Sequence, residues 1–390
     1  MSEKRGDDGG IDDDRLLMDA LFSPEGAQDP HCALRGNPTV GCRYAVVDAA
    51  LRDTRFGSGQ VSATEVLHRM VGRFMARMDG DRHRDVRGRF SRIFTPNKVR
   101  AYRAVVERRA DDLLNRMSRV GSGDLVAEFA RPLPFGVIAD VMGVPVERHA
   151  WLEQQLDLLG AGVAGQRQRD LLEQGNDATS QLLRFFGQCL DERRDDPTDD
   201  LLGVLATDDL VATAREDLLA NCVFFLLAGH MTTTVLLAAG AAVLSEHPDQ
   251  LALLMGGDQP WSKAVEELLR YLSPITITGL RPSSAVTIGD VTFDAGVTRL
   301  FSFAAANRDP SVFAHPDEFD ITRAPIHHLA FSEGRHFCLG APLARLHAEV
   351  ALPMLFERLP GLHLEHPIRW RGAAPVRQIE ALPIVWTPAH

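Results

Sequence analysis

The chain has 390 residues, of which 45% are hydrophobic and 24% are charged, a composition typical of soluble globular proteins. Its formal net charge of −11 argues against a protein that wraps around nucleic acid. The five cysteines are odd in number and never spaced as C-x-x-C. This argues against a disulfide framework or a structural zinc site and favours a reducing, cytoplasmic setting.

The first 14 residues, MSEKRGDDGGIDDD, are mostly polar and rich in aspartate. They lack the apolar stretch of a signal peptide or a membrane anchor, and they are predicted to form a disordered tail. No repeat, low-complexity linker or change of composition divides the rest of the chain, so residues 15–390 are expected to form one domain.

In chain order, strands are expected at 38–48, 285–293 and 297–303, the last two interrupted by Gly289 and Gly296. Helical periodicity dominates elsewhere. The predicted helices cover 62–77, 97–118, 147–159, 169–191, 216–246, 262–271 and 341–358. The pattern predicts a mainly α protein with a small β region.

One apolar stretch, CVFFLLAGHMTTTVLLAAGAAVL from Cys222 to Leu244, is long enough to span a bilayer. His230 and three threonines lie at its centre, and no second span accompanies it. A buried core helix, in a protein with no membrane segment, is therefore the favoured interpretation.

The stretch FSEGRHFCLG, residues 331–340, places Cys338 between two glycines and just before a predicted helix. Cations and a helix N-terminus favour the thiolate, which is the form that binds metals. Gly334 and Gly340 allow the backbone to aim N–H groups at the sulfur, and such hydrogen bonds tune an iron–thiolate site. A buried structural cysteine on a turn is the alternative.

This stretch resembles the haem-ligand loop of the cytochrome P450 family, whose core is F-x-x-G-x-x-x-C-x-G. The four fixed positions are matched by Phe331, Gly334, Cys338 and Gly340. The resemblance extends over most of the chain and implies the triangular, mainly α cytochrome P450 fold enclosing haem b. It also implies that Cys338 is the iron ligand and that Phe331 and Gly340 lie beside the cofactor.

A second motif is the EELLR stretch, in which Glu267 and Arg270 lie at i and i+3 on one helix face. The pair resembles the family's buried E-x-x-R, which braces the core below the haem. In many members a later arginine, just before a phenylalanine, completes that network. Here a glutamate precedes the phenylalanine, so Arg308 or Arg323 is expected to serve instead.

A third motif concerns the cofactor's carboxylates. His83 and Arg87, at i and i+4 on a predicted helix, resemble the family's H-x-x-x-R, which binds a haem propionate. Arg281 and His336 are the expected second set of donors. Four cationic or donor groups from distant segments suit two carboxylates.

The fourth motif, AGHMTT at residues 228–233, resembles the family's oxygen-binding segment, usually written [AG]-G-x-[DE]-T-[TS]. Ala228 and Gly229 are expected to leave room for a flat ligand and dioxygen. Thr232 is expected to return its hydroxyl to the Ala228 carbonyl and to loosen the helix locally.

Two residues depart from the family pattern. Met231 stands where the family has an acid, and methionine cannot relay a proton. Thr232 with ordered water, a substrate hydroxyl or His230 remain as alternative proton sources. Ser332 is the second departure, because bacterial members commonly carry glycine there.

The substrate pocket is expected beside the long helix and the ITITG stretch, with residues 55–80 as a lid. Its expected walls are Phe225, Ile275, Ile277 and Thr278. A mostly apolar lining with a few hydroxyls suits a mid-sized, partly oxidised organic molecule.

The resemblance implies a cytoplasmic, monomeric monooxygenase that hydroxylates or epoxidises a specialised-metabolite intermediate of polyketide or peptide type, free or tethered to a carrier protein. Electrons are expected from ferredoxin and ferredoxin reductase. The arginines expected to dock an acidic ferredoxin are Arg84, Arg89, Arg92, Arg335 and Arg345. The alternatives are a peroxide-driven or non-hydroxylating haem-thiolate oxidase, which Met231 motivates, and a catalytically silent recruitment module.

Overall fold

A computed structural model describes residues 40–58, 65–164, 168–325, 327–371, 376 and 378–388. The predicted tail at 1–14 and the first residues of the predicted 62–77 helix lie outside this part of the chain. Within it the helices are α1 (Tyr44–Arg52), α2 (Val66–Val71), α3 (Gly80–Ser91), α4 (Pro96–Met117), α5 (Pro132–Met142), α6 (His149–Ala164), α7 (Arg169–Asp195), α8 (Leu201–Ala206), α9 (Leu210–Thr213), α10 (Arg215–Glu246), α11 (Pro248–Met255), α12 (Trp261–Leu272), α13 (Phe303–Ala306) and α14 (Ala341–Arg358).

The long predicted helices are confirmed. The structure begins and ends α4, α7, α10, α12 and α14 within a few residues of the predicted ranges. Thr95 caps α4, with its hydroxyl accepting from the N–H of Lys98 at 3.4 Å. Gly143 ends α5 in the left-handed conformation, with a φ of 81°.

The strand predicted at 38–48 is wrong. Of the described residues 40–48, only Val40–Gly41 form a strand, and residues 44–48 belong to α1. Val46, Val47 and Ala50 are buried and lie on one face of that helix. The β-branched pair suggested a strand, whereas the spacing of the three residues matches a helical period and tertiary packing favours it. The helix predicted at 62–77 is also shorter, because α2 ends at Val71.

The strands form small sheets at the side of the helical body. They are β1 (Val40–Gly41), β2 (Phe56–Gly57), β3 (Ser122–Asp124), β4 (Ile277–Pro282), β5 (Val286–Ile288), β6 (Val291–Phe293), β7 (Arg299–Ser302), β8 (His363–Leu364), β9 (Trp370–Arg371), β10 (Gln378–Ile379) and β11 (Pro383–Val385). The largest sheet has the order β1-β7-β4-β2, in which only the β1–β7 pair is parallel. It brings Arg281 opposite Gly57, beside the entrance of the site described below.

Helix α10 runs through the main hydrophobic core and contacts α5, α7, α12 and α14. It is long and apolar enough to cross a membrane by length and composition, but 61% of its most apolar stretch is buried inside the fold. The protein packs this stretch against its own helices, as expected for a core helix.

Candidate active site

The Cys338 loop folds back on itself before α14. The N–H of Cys338 donates to the carbonyl of Phe331 at 2.8 Å, which closes the loop. Gly334 has a φ of 67°, and a Cβ at this position would lie 2.6 Å from the carbonyl oxygen of Leu51. Glycine is therefore required there, both for the left-handed backbone and for the close approach to α1.

The Cys338 thiol is partly buried at the N-terminus of α14. Burial raises the pKa of this thiol, although hydrogen bonds from the N–H groups of Gly340 and Ala341 and the charges of Arg87 and Arg345 act in the opposite direction. The lowering that the sequence predicts is thus present but outweighed by desolvation. A bound cation would reverse this balance, because a coordinating thiol loses its proton.

Beside the loop, donor groups from three segments meet at one cavity of about 1110 Å³. His83 and Arg87 reach it from α3, Arg281 from β4 and Arg335 from the loop itself. The ring of His336 lies 4.3 Å from that of His83. The structure therefore places all four predicted propionate donors together and adds Arg335.

One buried nitrogen of this cavity stands out. His83 is 5% exposed, and its Nε2 has no hydrogen-bond partner among the described residues. Burial, followed by the charges of His336 and Arg87, lowers the pKa of His83 to about 4. A buried polar nitrogen surrounded by positive groups fits a carboxylate-bearing cofactor such as haem.

The E-x-x-R pair is fully buried and has a third member. Arg270 donates to Glu267 through Nε and Nη2 at 2.8 and 2.7 Å, and both side chains are 0% exposed. Arg323 donates its Nε–H to Glu267 Oε1 at 3.2 Å. Of the two candidates it is Arg323 that completes the network, since Arg308 pairs with Asp317 instead.

On α10, the Thr232 hydroxyl donates to the Ala228 carbonyl at 3.1 Å, as predicted. Ala228, Gly229 and Thr232 are partly exposed, whereas most of the helix around them is buried. Gly229 also has a packing role, because a Cβ there would lie 2.9 Å from Cγ1 of Ile138 on α5. Its missing side chain therefore allows α5 and α10 to approach closely.

His230 is not placed to serve Thr232. It lies about 200° further around the helix, packs edge-on against Phe135 and donates through Nδ1 to the Leu226 carbonyl at 2.7 Å. Burial lowers its pKa to about 4, so the ring is neutral at ordinary pH. Of the proton sources left by Met231, water and a substrate hydroxyl fit the Thr232 side of the helix.

The predicted pocket residues divide into two groups. Ile275 and Thr278 keep part of their surface exposed, whereas Ile277 and Phe225 are buried. Ile277 and Thr278 point to opposite faces of β4, so they cannot both line one wall. Phe225 shares a helix face with Ala228 and Thr232 and packs against two phenylalanines of the segment after His83, Phe90 and Phe94.

Sequence reasoning missed a charge pair directly beside the loop. Glu266 accepts from Arg345 Nε and Nη2 at 2.6 and 2.9 Å, and His328 lies 3.4 Å away. Burial opposes the ionisation of Glu266, but its interactions with Arg345 and His328 outweigh this and lower the pKa of Glu266 to about 2. The EELLR stretch contains Glu266, yet the pattern does not reveal a partner 79 residues away.

Comparisons with known proteins agree with this geometry. Residues 261–360 match the model of a family described as Cytochrome P450. The biotin biosynthesis cytochrome P450 of Bacillus subtilis (strain 168) is 34% identical over 306 residues, 78% of this chain and 78% of that protein. The mycinamicin IV hydroxylase/epoxidase of Micromonospora griseorubida is 35% identical over 88% of each chain. The crystal structure of P450BioI in complex with hexadec-9Z-enoic acid ligated acyl carrier protein has a TM-score of 0.88 and 31% identity, covering 93% of this chain and 100% of that chain.

The third member of the buried network can be tested by stability. We expect Arg323→Gln to lower the free energy of unfolding by about 3 kcal/mol, because it leaves the Glu267 carboxylate with fewer donors. Arg308→Gln is the matched comparison and should cost less than Arg323→Gln, because the carboxylate that it leaves without a partner, Asp317, is 57% exposed, whereas Glu267 is 0% exposed. Urea unfolding followed by circular dichroism measures both values, and an equal or larger cost for Arg308→Gln would contradict the assignment.

The family departure at Ser332 can be tested in the same way. Ser332 has a φ of 61°, in the left-handed region that costs a residue with a Cβ about 1 kcal/mol. We expect Ser332→Gly to raise the free energy of unfolding by up to that amount, less the extra chain entropy of glycine. Ser332→Ala keeps the Cβ and should not stabilise. Equal effects of the two substitutions would show that the backbone conformation is not the cause.

Proposed function

The chain belongs to the cytochrome P450 family, and we propose that it hydroxylates or epoxidises a mid-sized intermediate of specialised metabolism, of polyketide or peptide type. Membership makes it a P450 monooxygenase with haem b as its cofactor and the P450 fold as its architecture. The observation that carries the proposal is that the Cys338 loop and Thr232 are both intact in a chain similar to the mycinamicin IV hydroxylase/epoxidase. We propose that residues 15–390 act as one cytoplasmic, monomeric unit.

The residues of the site divide the work between holding the cofactor and managing protons. Cys338 would bind the iron, and His83, Arg87, Arg281 and His336 would receive the two carboxylates. When bound, the haem supplies the activation of dioxygen. On α10, the Thr232 hydroxyl would hold a proton at the helix surface.

Met231 leaves Thr232 without an acidic neighbour at the usual position. The Thr232 hydroxyl both donates and accepts, so it can pass a proton from water when it leaves the Ala228 carbonyl. Helix α10 thus provides a proton route that does not depend on a carboxylate at residue 231.

A carrier-tethered substrate is supported by the similarity to P450BioI, whose structure was determined with an acyl chain on its carrier protein. A tethered substrate needs a cavity that is open at one side and apolar near the iron. Ile275 and Thr278 keep part of their surface exposed, which is compatible with contact to a tethered acyl chain.

Two other readings are separated by the electron source. A peroxide-driven or non-hydroxylating oxidase is motivated by Met231, since an acid at that position normally takes part in proton delivery. A silent recruitment module would need neither Cys338 nor the donors around His83, and their retention argues against it. Purified protein should turn over with reduced ferredoxin and dioxygen. Turnover with peroxide but none with reduced ferredoxin would favour the first alternative, and no product with either source would favour the second.

For the electron donor, we propose that ferredoxin docks on the Cys338 side and receives electrons from ferredoxin reductase. Phe337, next to Cys338, is 38% exposed and offers an apolar contact at this surface. Of the five arginines predicted for docking, Arg84 and Arg92 are more than half exposed. All five arginines have an ion-pair partner, because Arg84 pairs with Asp81 and Arg92 with Asp208. The other three are at most 32% exposed: Arg89 pairs with Asp208, Arg335 with Asp79 and Arg345 with Glu266.

The docking surface predicts a charge effect. Arg84→Glu combined with Arg92→Glu should raise the KM for reduced ferredoxin about tenfold at low salt, because rim charges steer association. Arg169→Glu, which reverses an exposed charge on α7, is the matched control and should leave KM unchanged. The effect should shrink as salt is added, and an effect insensitive to salt would count against electrostatic docking.

The role of Thr232 predicts a loss of coupling. We expect Thr232→Ala to lower product formed per electron consumed on the order of 10²-fold, because the proton donor beside the cofactor is removed. Thr233→Ala is the matched control, because Thr233 makes the same back-bond to the Gly229 carbonyl at 3.2 Å but is buried. Product and electron consumption measured in the ferredoxin system test this, and equal coupling in both variants would exclude a special role for Thr232.

A further inference from the structure

Arg335 lies at a position that the F-x-x-G-x-x-x-C-x-G pattern leaves open, one residue before His336. Its Nη2 donates to Asp79 Oδ1 at 2.8 Å and to the carbonyl of Phe56. Two other segments, the start of α3 and strand β2, therefore fix the guanidinium. Its side chain is only one-quarter exposed, so it is not a free surface charge.

Asp79 is itself held in place from the other side. Its Oδ2 accepts the N–H of Ser58 at 3.2 Å, and a Cβ at Gly57 would lie 2.5 Å from the same oxygen. The absence of a side chain at Gly57 therefore allows this carboxylate to sit against β2. His336 Nε2 also lies 3.5 Å from Asp79 Oδ1. One carboxylate thus orients two neighbouring side chains of the Cys338 loop.

The described residues leave another donor of Arg335, its Nε–H, unpaired. Its Nε is buried and has no hydrogen-bond partner among the described residues. Arg335 lines the same cavity as His83, whose Nε2 is the other unpartnered buried nitrogen there. Leaving a buried guanidinium N–H without an acceptor is unfavourable, so an acceptor beyond the described residues would stabilise this arrangement.

The charge of the cavity indicates what that acceptor is. Its lining includes the guanidinium groups of Arg87, Arg281 and Arg335, against a single carboxylate, that of Asp79. A ligand bearing two carboxylates would neutralise this excess of positive charge. Haem b, the cofactor of the family, has two.

We propose that Arg335 is a further cofactor-binding residue, which donates its Nε–H to a haem carboxylate, and that Asp79 is the positioning residue that aims it. The proposal rests on the proposed binding of the haem carboxylates by His83, Arg87, Arg281 and His336. It adds a donor that the family pattern does not specify. The competing explanation is that the Arg335–Asp79 pair only latches the Cys338 loop to α3. In that case the pair would slow the loss of a porphyrin to the same extent with or without carboxylates on it.

The rate of haem loss separates the two explanations. Haem captured by excess apomyoglobin reports its dissociation rate from the loaded protein without any turnover assay. We expect Arg335→Gln to speed dissociation about tenfold, as for loss of one charge-assisted hydrogen bond. Asp79→Asn should speed it less, since it leaves Arg335 in place but less firmly oriented. Arg55→Gln is the matched control and should have no effect, because Arg55 lines the same cavity but is half exposed and pairs with Asp53.

The decisive arm replaces haem with its dimethyl ester, which has no carboxylate. If Arg335 binds the carboxylate, Arg335→Gln and the unchanged protein should lose the ester at the same rate. A tenfold difference that persists with the ester, or no difference with haem, would overturn the proposal in favour of the latch. Arg335→Lys keeps the charge but lacks the Nε–H and should behave like the glutamine variant, so the test survives if one variant folds poorly. Turnover with ferredoxin is measured separately, so failure of this proposal is distinguishable from failure of the proposed function.

Discussion

The buried charge network around Glu267 is the constraint on which the position of the cysteine loop depends. Between α13 and the loop, the described residues 307–325 and 327–333 form neither helix nor strand. Their backbone carbonyls must still be satisfied. Arg270 donates to the carbonyls of Asn307, Pro316 and Glu318 at 2.8 to 3.0 Å, and Arg323 donates to three carbonyls of the same stretch. Two guanidinium groups anchored on one carboxylate thus replace the hydrogen bonds that a helix or sheet would supply, at the cost of burying three charges.

The sequence predicts this site well where the information is local. The spacing in FSEGRHFCLG and EELLR is read within ten residues, and the structure brings Cys338 to a helix N-terminus and Glu267 against Arg270. It predicts less where a partner is distant. Arg323 joins Glu267 across 56 residues, and the family pattern narrows this partner only to Arg308 or Arg323. Arg335 joins Asp79 across 256 residues, and no period or motif marks that pair. The strand prediction for the segment of α1 is wrong for the same reason. The conformation of this segment depends on its packing against a sheet formed by residues far along the chain.

Helix α10 shows how an apolar segment can carry polar function without exposing its polar groups. Its three threonines and His230 return their hydrogen bonds to carbonyls four residues earlier. Each polar group is therefore satisfied within the helix, and the stretch packs in the core as if it were apolar. Thr232 differs from its neighbours only in facing a partly open side. The helix register, rather than any difference in chemistry among the threonines, determines which threonine faces the partly open side.

The donor groups around His83 affect both the stability of the protein and its choice of ligand. His83 has its pKa lowered to about 4 by burial and by positive neighbours, and the cavity around it holds several guanidinium groups. Repulsion among these groups opposes their close approach until an anion separates them. A cofactor that brings two carboxylates would remove this repulsion, and we propose that it also supplies acceptors for the unpartnered nitrogens of His83 and Arg335. The same guanidinium groups disfavour neutral or cationic porphyrins. The positive charges that repel one another therefore also select an anionic ligand.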